Sequence, residues 1–92
     1  MILSEEVQER YNNFNEAVYN PKHLDPKTRE LIALSNSLTI DCEPCMKHHY
    51  AKAIEAGVSH EEIAEALAIA VSVAGGKRVV RAKEVIARLM QG

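Results

Sequence analysis

The chain has 92 residues and a formal net charge of −2, and 47% of its residues are hydrophobic. This length predicts one domain over residues 1–92, near the lower limit at which a hydrophobic core alone stabilises a fold. Eleven Lys and Arg against 13 Asp and Glu, with no concentrated basic stripe, argue against nucleic acid as a partner. A secretory leader and an apolar run of about 18 residues are both missing from the sequence, so we expect a cytoplasmic protein that binds no membrane.

The first two predicted helices are recognised by their ends. The first covers residues 4–19, with the Ser4 hydroxyl as its N-cap and Asn20-Pro21 as its stop. The second covers residues 25–40, since Asp25 followed by a proline is a typical helix start. At about 100° per residue its leucines form one stripe, and Glu30 lies at the margin of that stripe. We therefore expect the Glu30 carboxylate close to the core.

The third predicted helix covers residues 41–57, carries two cysteines in its first turns and ends at Gly57, a residue suited to a left-handed C-terminal position. The fourth begins after Ser59, whose side chain is expected to form a capping box with Glu62. Val58 and Ile63 should pack together beside that box as a hydrophobic staple.

The last part of the chain is expected to contain one more helix boundary. Residues 66–74 are apolar on every face except at Ser72, which predicts a central helix, a subunit interface or both. With so little chain to surround it we expect both, and hence a homo-oligomer. Gly75-Gly76 should break the helix, and a fifth helix over residues 77–90 should turn its apolar side chains toward the rest, namely Val79, Val80, Val85, Ile86 and Leu89. The predicted fold is an all-α bundle of about five helices.

Three reactive side chains on the third helix share one face. Cys42, Cys45 and His49 are three and four residues apart, which places them in a sector of about 60°, whereas His48 points away from it. A helix N-terminus stabilises a thiolate, and this favours Cys42 as the nucleophile. His49 can reach Cys45 directly or through one water as a general base, which favours the other cysteine. A disulfide between Cys42 and Cys45 closes easily, so whichever cysteine attacks, the other is placed to act as the resolving thiol.

Three simpler interpretations of these residues remain open. Both cysteines can be ordinary core residues, because a free cysteine packs as a small hydrophobic side chain. Cys42, Cys45 and His49 can also supply three zinc ligands, although a structural zinc site takes a fourth that the sequence does not offer. Glu30, for its part, can be an ordinary solvated glutamate with no role in catalysis.

The run from Glu30 to His49 matches the pattern E-x11-C-x-x-C-x3-H. In this it resembles the alkylhydroperoxidase D-like branch of the carboxymuconolactone decarboxylase superfamily. The resemblance implies an all-helical subunit that forms trimers or hexamers, and we expect neither a cofactor nor a metal. It implies Cys45 as the attacking thiol, activated by His49 and Glu30 with a water between, and Cys42 as the resolving thiol. The best-known members are about twice as long and carry a histidine where this chain has Pro44.

The expected function is that of a thiol-dependent peroxidase, which reduces hydroperoxides through a C-x-x-C dithiol and disulfide cycle and is reset by a dithiol or protein reductant. A first alternative is a thiol–disulfide adaptor that reduces a partner peroxiredoxin. A second alternative is a helical module without enzymatic activity, in which the cysteines bind zinc or pack in the core.

Overall fold

The computed structural model describes residues 2–20 and 22–92, and within these ranges it contains four α-helices and no strand. The helices are α1 (Glu5–Val18), α2 (Pro26–Thr39), α3 (Glu43–Glu55) and α4 (His60–Met90). The all-α class is confirmed, with four helices instead of five. Pro21, which the sequence predicts as the stop of the first helix, lies outside the described residues.

The predicted N-caps are confirmed at three helices. The side chains of Ser4, Asp25 and Ser59 accept hydrogen bonds from the first-turn N–H groups of α1, α2 and α4. At α4 the box is complete, because the Glu62 carboxylate in turn accepts the N–H of Ser59 at 2.9 Å. These caps satisfy donors that a helix cannot pair internally, and they fix where each helix begins.

The start of α3 differs from the prediction by two residues. Asp41, expected to begin the helix, has φ +54 and belongs to the end of α2. The N–H of Asp41 donates to Leu38 and that of Cys42 to Ser37, which is the Schellman arrangement with an aspartate at the left-handed position. Aspartate tolerates this conformation better than most residues do. Cys42 is consequently the N-cap of α3, and Glu43 is its first helical residue.

The predicted break at Gly75-Gly76 is wrong, because α4 runs without interruption through 31 residues. Neither glycine adopts a positive φ, so both keep helical geometry. A glycine inside a helix costs about 1 kcal/mol relative to alanine. Starting a new helix would require another unfavourable nucleation step, whereas extending an existing one does not. The helix-forming residues on both sides are sufficient to carry it across.

The core lies where α2 packs against α3 and against the first turns of α4. Its buried side chains are Leu34, Ala53, Val58 and Ile63, so the predicted staple of Val58 with Ile63 is confirmed. An ion pair between Lys27 and Glu62, 3.1 Å apart, adds a link between α2 and α4. We call α2, α3 and residues 60–70 of α4 the packed block.

Two segments extend away from this block, and we call them the exposed arms: α1 and residues 71–90. In the described part of the chain, α1 buries no residue and packs on no other helix. The second arm was expected to turn its apolar side chains inward, but Val79, Ile86 and Leu89 are 55%, 53% and 70% exposed. The apolar stretch at residues 66–74 is only partly covered in this chain, because Leu67 packs against the core and Ala70 is buried, whereas Val73 is 68% exposed. None of the helices in the described ranges is long and apolar enough to cross a membrane.

Candidate active site

The two cysteines meet at the N-terminus of α3. Cys42 and Cys45 are disulfide-bonded, with their Cα atoms 5.2 Å apart. The N–H of Cys45 also donates to the Cys42 sulfur at 3.3 Å, so this sulfur caps the helix. Both residues are partly exposed. A disulfide therefore closes within the first turn, at a point that solvent reaches.

A buried glutamate and a buried histidine pair beneath this turn. Glu30 from α2 is 2% exposed and His49 from α3 is 8% exposed. The distance between Glu30 Oε1 and His49 Nδ1 is 3.0 Å. The position of Glu30 at the margin of an apolar stripe thus places its carboxylate in the interior, against the one histidine that shares a face with the cysteines. His48 is exposed and meets the His49 ring with its edge, at 4.9 Å between ring centres.

The Glu30 carboxyl group is held in its ionised form. Burial raises its pKa, but hydrogen bonds from His49 and from Arg29 act in the opposite direction and leave the pKa below the ordinary value. Arg29 Nε lies 2.8 Å from Glu30 Oε2. Because an ionised carboxylate only accepts hydrogen bonds, the hydrogen on His49 must sit on Nδ1, and in a neutral ring Nε2 is then an acceptor.

Tyr19, at the C-terminal cap of α1, completes the surroundings of this histidine. Its hydroxyl lies 3.2 Å from His49 Nε2, and the two rings are 5.2 Å apart. Arg29 fixes the same residue by donating to the Tyr19 carbonyl oxygen at 2.9 Å. In the sequence Tyr19 marks only a helix end, because nothing local to residue 19 points to a partner 30 residues later. Arg29 was also missed, since it lies off the periodic pattern that marks Glu30.

The structure therefore brings Glu30 and His49 together and joins Cys42 to Cys45. Among the described residues, however, neither sulfur is hydrogen-bonded to His49, whose two ring nitrogens face Glu30 and Tyr19. The parts assigned to these four residues by resemblance stay predictions.

A cleft of about 390 Å³ opens beside the disulfide. Cys45, His49 and Tyr19 contribute to its wall, while Cys42 does not. The rest of the wall is mostly apolar and comes from the end of α1, the following loop and α2: Val18, Leu24, Ile32, Ala33 and Ile40. A small molecule with an apolar part can thus lie against Cys45.

A metal site would need several convergent ligands. In residues 2–20 and 22–92, no three His, Cys, Asp or Glu side chains converge in a way that could hold a metal ion.

Comparison with known proteins places the chain among relatives of similar size. The sequence pattern of the carboxymuconolactone decarboxylase family matches residues 5–88. A structure from Thermotoga maritima is 34% identical, with 97% of this chain and 92% of that one covered and a TM-score of 0.74. It is described as a protein of this family, and an involvement in an antioxidative response has been suggested for it.

Two further structures agree with this comparison. A protein from Methanobacterium thermoautotrophicum is also 34% identical, with coverage of 87% and 90% and a TM-score of 0.82. A second Thermotoga maritima structure is 35% identical, with coverage of 92% and 77% and a TM-score of 0.71. No curated protein matches the sequence.

Proposed function

Because the chain belongs to the carboxymuconolactone decarboxylase family, we propose that it is an oxidoreductase, a thiol-dependent peroxidase that reduces hydroperoxides through Cys42 and Cys45. The observation that carries the proposal is the pair of bonded cysteines at a helix N-terminus, one turn from a buried Glu30–His49 pair. The antioxidative response suggested for the Thermotoga maritima relative is consistent with it. The reaction needs no cofactor, because the two sulfurs carry both electrons.

The proposed cycle has two thiol steps. The Cys45 thiolate attacks one peroxide oxygen, the O–O bond breaks, and the leaving alkoxide or hydroxide takes a proton and departs as alcohol or water. Cys45 is now a sulfenic acid. The Cys42 thiol then attacks this sulfur, water leaves, and the disulfide forms. A dithiol or a protein reductant supplies two electrons and two protons to restore both thiols.

The cleft supports Cys45 as the attacking residue and Cys42 as the resolving one. Cys45 contributes to the cleft wall, where a hydroperoxide with an apolar group fits, whereas Cys42 lies outside it at the helix cap. A sulfur outside the cleft can reach the oxidised Cys45 without competing with the substrate for space. The resolving sulfur also remains open to an external thiol.

Glu30 and His49 are proposed to supply the base. When His49 takes the proton of the Cys45 thiol, it becomes an imidazolium, and the ionised Glu30 carboxylate 3.0 Å away stabilises that charge. The buried position of the pair strengthens this interaction relative to one in water. General-base assistance of this kind contributes on the order of 10² to 10⁴ in rate.

Exchange of each cysteine tests the assignment. In a peroxide-consumption assay with a dithiol reductant, Cys45→Ser should lose activity by at least about 10³-fold, since it lacks the nucleophile. Cys42→Ser should consume at most one peroxide per chain, because the sulfenic acid is not resolved. Full and equal activity of both variants would refute the proposed roles.

A thiol–disulfide adaptor is the second candidate function. It is favoured by the partial exposure of both cysteines and by the place of Cys42 outside the cleft, where a partner protein's thiol can attack. The two functions differ in which substrate the protein reacts with faster. A peroxidase oxidises rapidly with a hydroperoxide, whereas an adaptor in its dithiol form reduces the disulfide of a peroxiredoxin faster than it reacts with peroxide.

A homo-oligomer, a trimer or hexamer, is proposed as the working form in the cytoplasm. The chain exposes 7546 Å², whereas a compact monomer of 92 residues exposes roughly 5,300 Å². Its radius of gyration is 17.8 Å, against roughly 12 Å for a compact chain of this length. An excess of about 2,000 Å² per chain is the size of a permanent subunit interface. Light scattering on the purified protein should give a mass of three or six chains, and a monomer at micromolar concentration would contradict the proposal.

A further inference from the structure

Both ring nitrogens of His49 already have hydrogen-bond partners, and neither partner is a cysteine. His49 Nδ1 is paired with Glu30, and Nε2 faces the Tyr19 hydroxyl at 3.2 Å. A neutral histidine with Nδ1 protonated has one acceptor, Nε2, and the phenol occupies it. With this arrangement the ring cannot take the Cys45 proton directly, unless the tyrosine moves away.

The Tyr19 hydroxyl is the group that stands at His49 Nε2. Its side chain contributes to the same cleft wall as Cys45 and His49. It also borders a second, more polar cleft of about 400 Å³, which is lined by Glu30, His48 and Lys52 among others. The Tyr19–His49 contact therefore borders both a mostly apolar cleft that Cys45 lines and a more polar cleft lined by charged side chains.

We propose that the Tyr19 hydroxyl connects Cys45 to His49 in proton transfer. This inference rests on the proposed function of Cys45 as a nucleophile. The Cys45 S–H bond breaks as its proton passes to the Tyr19 oxygen, and the phenol's own proton passes to His49 Nε2. The products are a thiolate, an unchanged neutral phenol and an imidazolium that is paired with Glu30, so charge and protons balance.

A phenol hydroxyl is suited to this task because it donates and accepts at the same time. Two contacts hold it in place: the Arg29 guanidinium binds the Tyr19 carbonyl oxygen at 2.9 Å, and the ring lies against the imidazole at 5.2 Å. Arg29 also pairs with Glu30 at 2.8 Å, so one side chain binds both the Tyr19 backbone and the Glu30 carboxylate. The end of α1 is thereby attached to the site although the helix itself packs on nothing.

The test removes the hydroxyl and keeps the ring. Tyr19→Phe is made in a Cys42→Ser background, where Cys45 is the only thiol and serine remains a good N-cap for α3. Tyr50→Phe in the same background is the matched control, because the Tyr50 hydroxyl also lies 3.2 Å from a histidine nitrogen, that of His60, but at an exposed position away from the cysteines. Alkylation of the reduced proteins by iodoacetamide is followed from pH 6 to 10.

We expect Tyr19→Phe to be alkylated about tenfold more slowly at pH 7 than its parent. The two alkylation rates should converge above about pH 9.5, because hydroxide then ionises the thiol in both proteins without help. The midpoint of the pH–rate curve of Tyr19→Phe should move toward the ~8.5 of an unassisted thiol. Tyr50→Phe should follow the parent at every pH. Equal rates for Tyr19→Phe and its parent at pH 7, or a deficit that persists unchanged at pH 10, would overturn the proposal.

Two further measurements separate the causes of a result. Helix content and the thermal unfolding midpoint of Tyr19→Phe should equal those of the parent, and a loss of either would show that the hydroxyl is structural. Alkylation does not involve peroxide, so it is independent of the proposed peroxidase activity. A protein that shows the alkylation effect but does not react with peroxide would retain the Tyr19 assignment and lose the proposed function.

Discussion

The packed block buries its apolar side chains, whereas the exposed arms leave theirs open to solvent. In the block, Leu34, Ala53 and Val58 are at most 4% exposed, and the Glu30–His49 pair is buried among the same helices. In the arms, apolar side chains such as Val73 and Leu89 are more than two-thirds exposed. Packed side chains of this kind stabilise the fold from within, whereas large apolar side chains left exposed in number are typical of a binding surface. The Glu30–His49 pair therefore belongs to the block, and we propose that another copy of the chain covers the arms.

The largest difference in unfolding free energy between the two regions is expected when a leucine side chain is truncated to alanine. Leu34→Ala should lower the free energy of unfolding by about 2–4 kcal/mol, because it removes a buried side chain and leaves a cavity. Leu89→Ala, in an arm, should change the stability of the isolated chain by less than about 0.5 kcal/mol. Urea unfolding of both variants measures this contrast. Equal losses, unchanged by dilution of the protein, would show that the arm is packed in the monomer.

A charge placed on the arm should act on assembly and leave folding intact. Val73→Glu puts a carboxylate at a side chain that is 68% exposed in the single chain. If a second copy covers it, the dissociation constant should rise at least tenfold, since a buried unpaired charge is costly. Ala64→Glu, on the exposed side of the same helix within the block, is the control. Sedimentation of both variants that gives the mass of the natural protein would speak against this interface.

Acid should weaken the block through Glu30. The pKa of this carboxyl is lowered in the fold, so the folded state favours the ionised form, and the resulting stability is complete above the ordinary value of 4.5 and lost as the pH falls through the folded pKa. Glu30→Gln should therefore cost about 1.5–3 kcal/mol at pH 7 and progressively less below pH 4.5. Glu84→Gln, at an exposed ion pair of α4, should cost under about 0.5 kcal/mol at any pH. Unfolding curves from pH 3 to 7 that stay parallel for Glu30→Gln and the natural protein would contradict the linkage.

The smallest expected effects distinguish two kinds of glycine. Gly76 is helical, and an added Cβ there meets nothing within 4 Å, so Gly76→Ala should stabilise the chain by about 0.5–1 kcal/mol. Gly57 has φ +88 at the end of α3, and Gly57→Ala should destabilise by about 1 kcal/mol, although space is available there as well. Chemical unfolding of the two variants should show opposite signs. A shared sign would mean that α4 is interrupted after all, or that the turn at Gly57 is relaxed.

Local features of the fold could be predicted from the sequence, because each depends on residues a few positions apart. The caps at Ser4, Asp25 and Ser59 and the turn at Gly57 are of this type. The start of α3 was misplaced by two residues because Asp41 serves the end of the preceding helix. The continuation through Gly75-Gly76 was missed because a glycine pair has a cost that neighbouring residues can offset, and sequence alone does not give that balance.

Those residues of the candidate site that share one helix face, or that fit the spacing of the family pattern, could be predicted from the sequence. The phase of Cys42, Cys45 and His49 on α3 groups them, and resemblance adds Glu30 from α2. Tyr19 was missed because its contact with His49 is set by how the end of α1 meets α2 and α3. No period or motif in the sequence encodes that long-range contact.

The proposed function requires that the two sulfurs at the start of α3 form a peroxide-driven redox pair. The most direct measurement is a titration of the reduced protein with hydroperoxide, followed by the intact mass of each chain. If this pair is redox-active, one equivalent of peroxide per chain should remove two hydrogen atoms, and the Cys42→Ser variant should instead gain one oxygen atom. An unchanged mass after several equivalents, with both thiols still free, would contradict it.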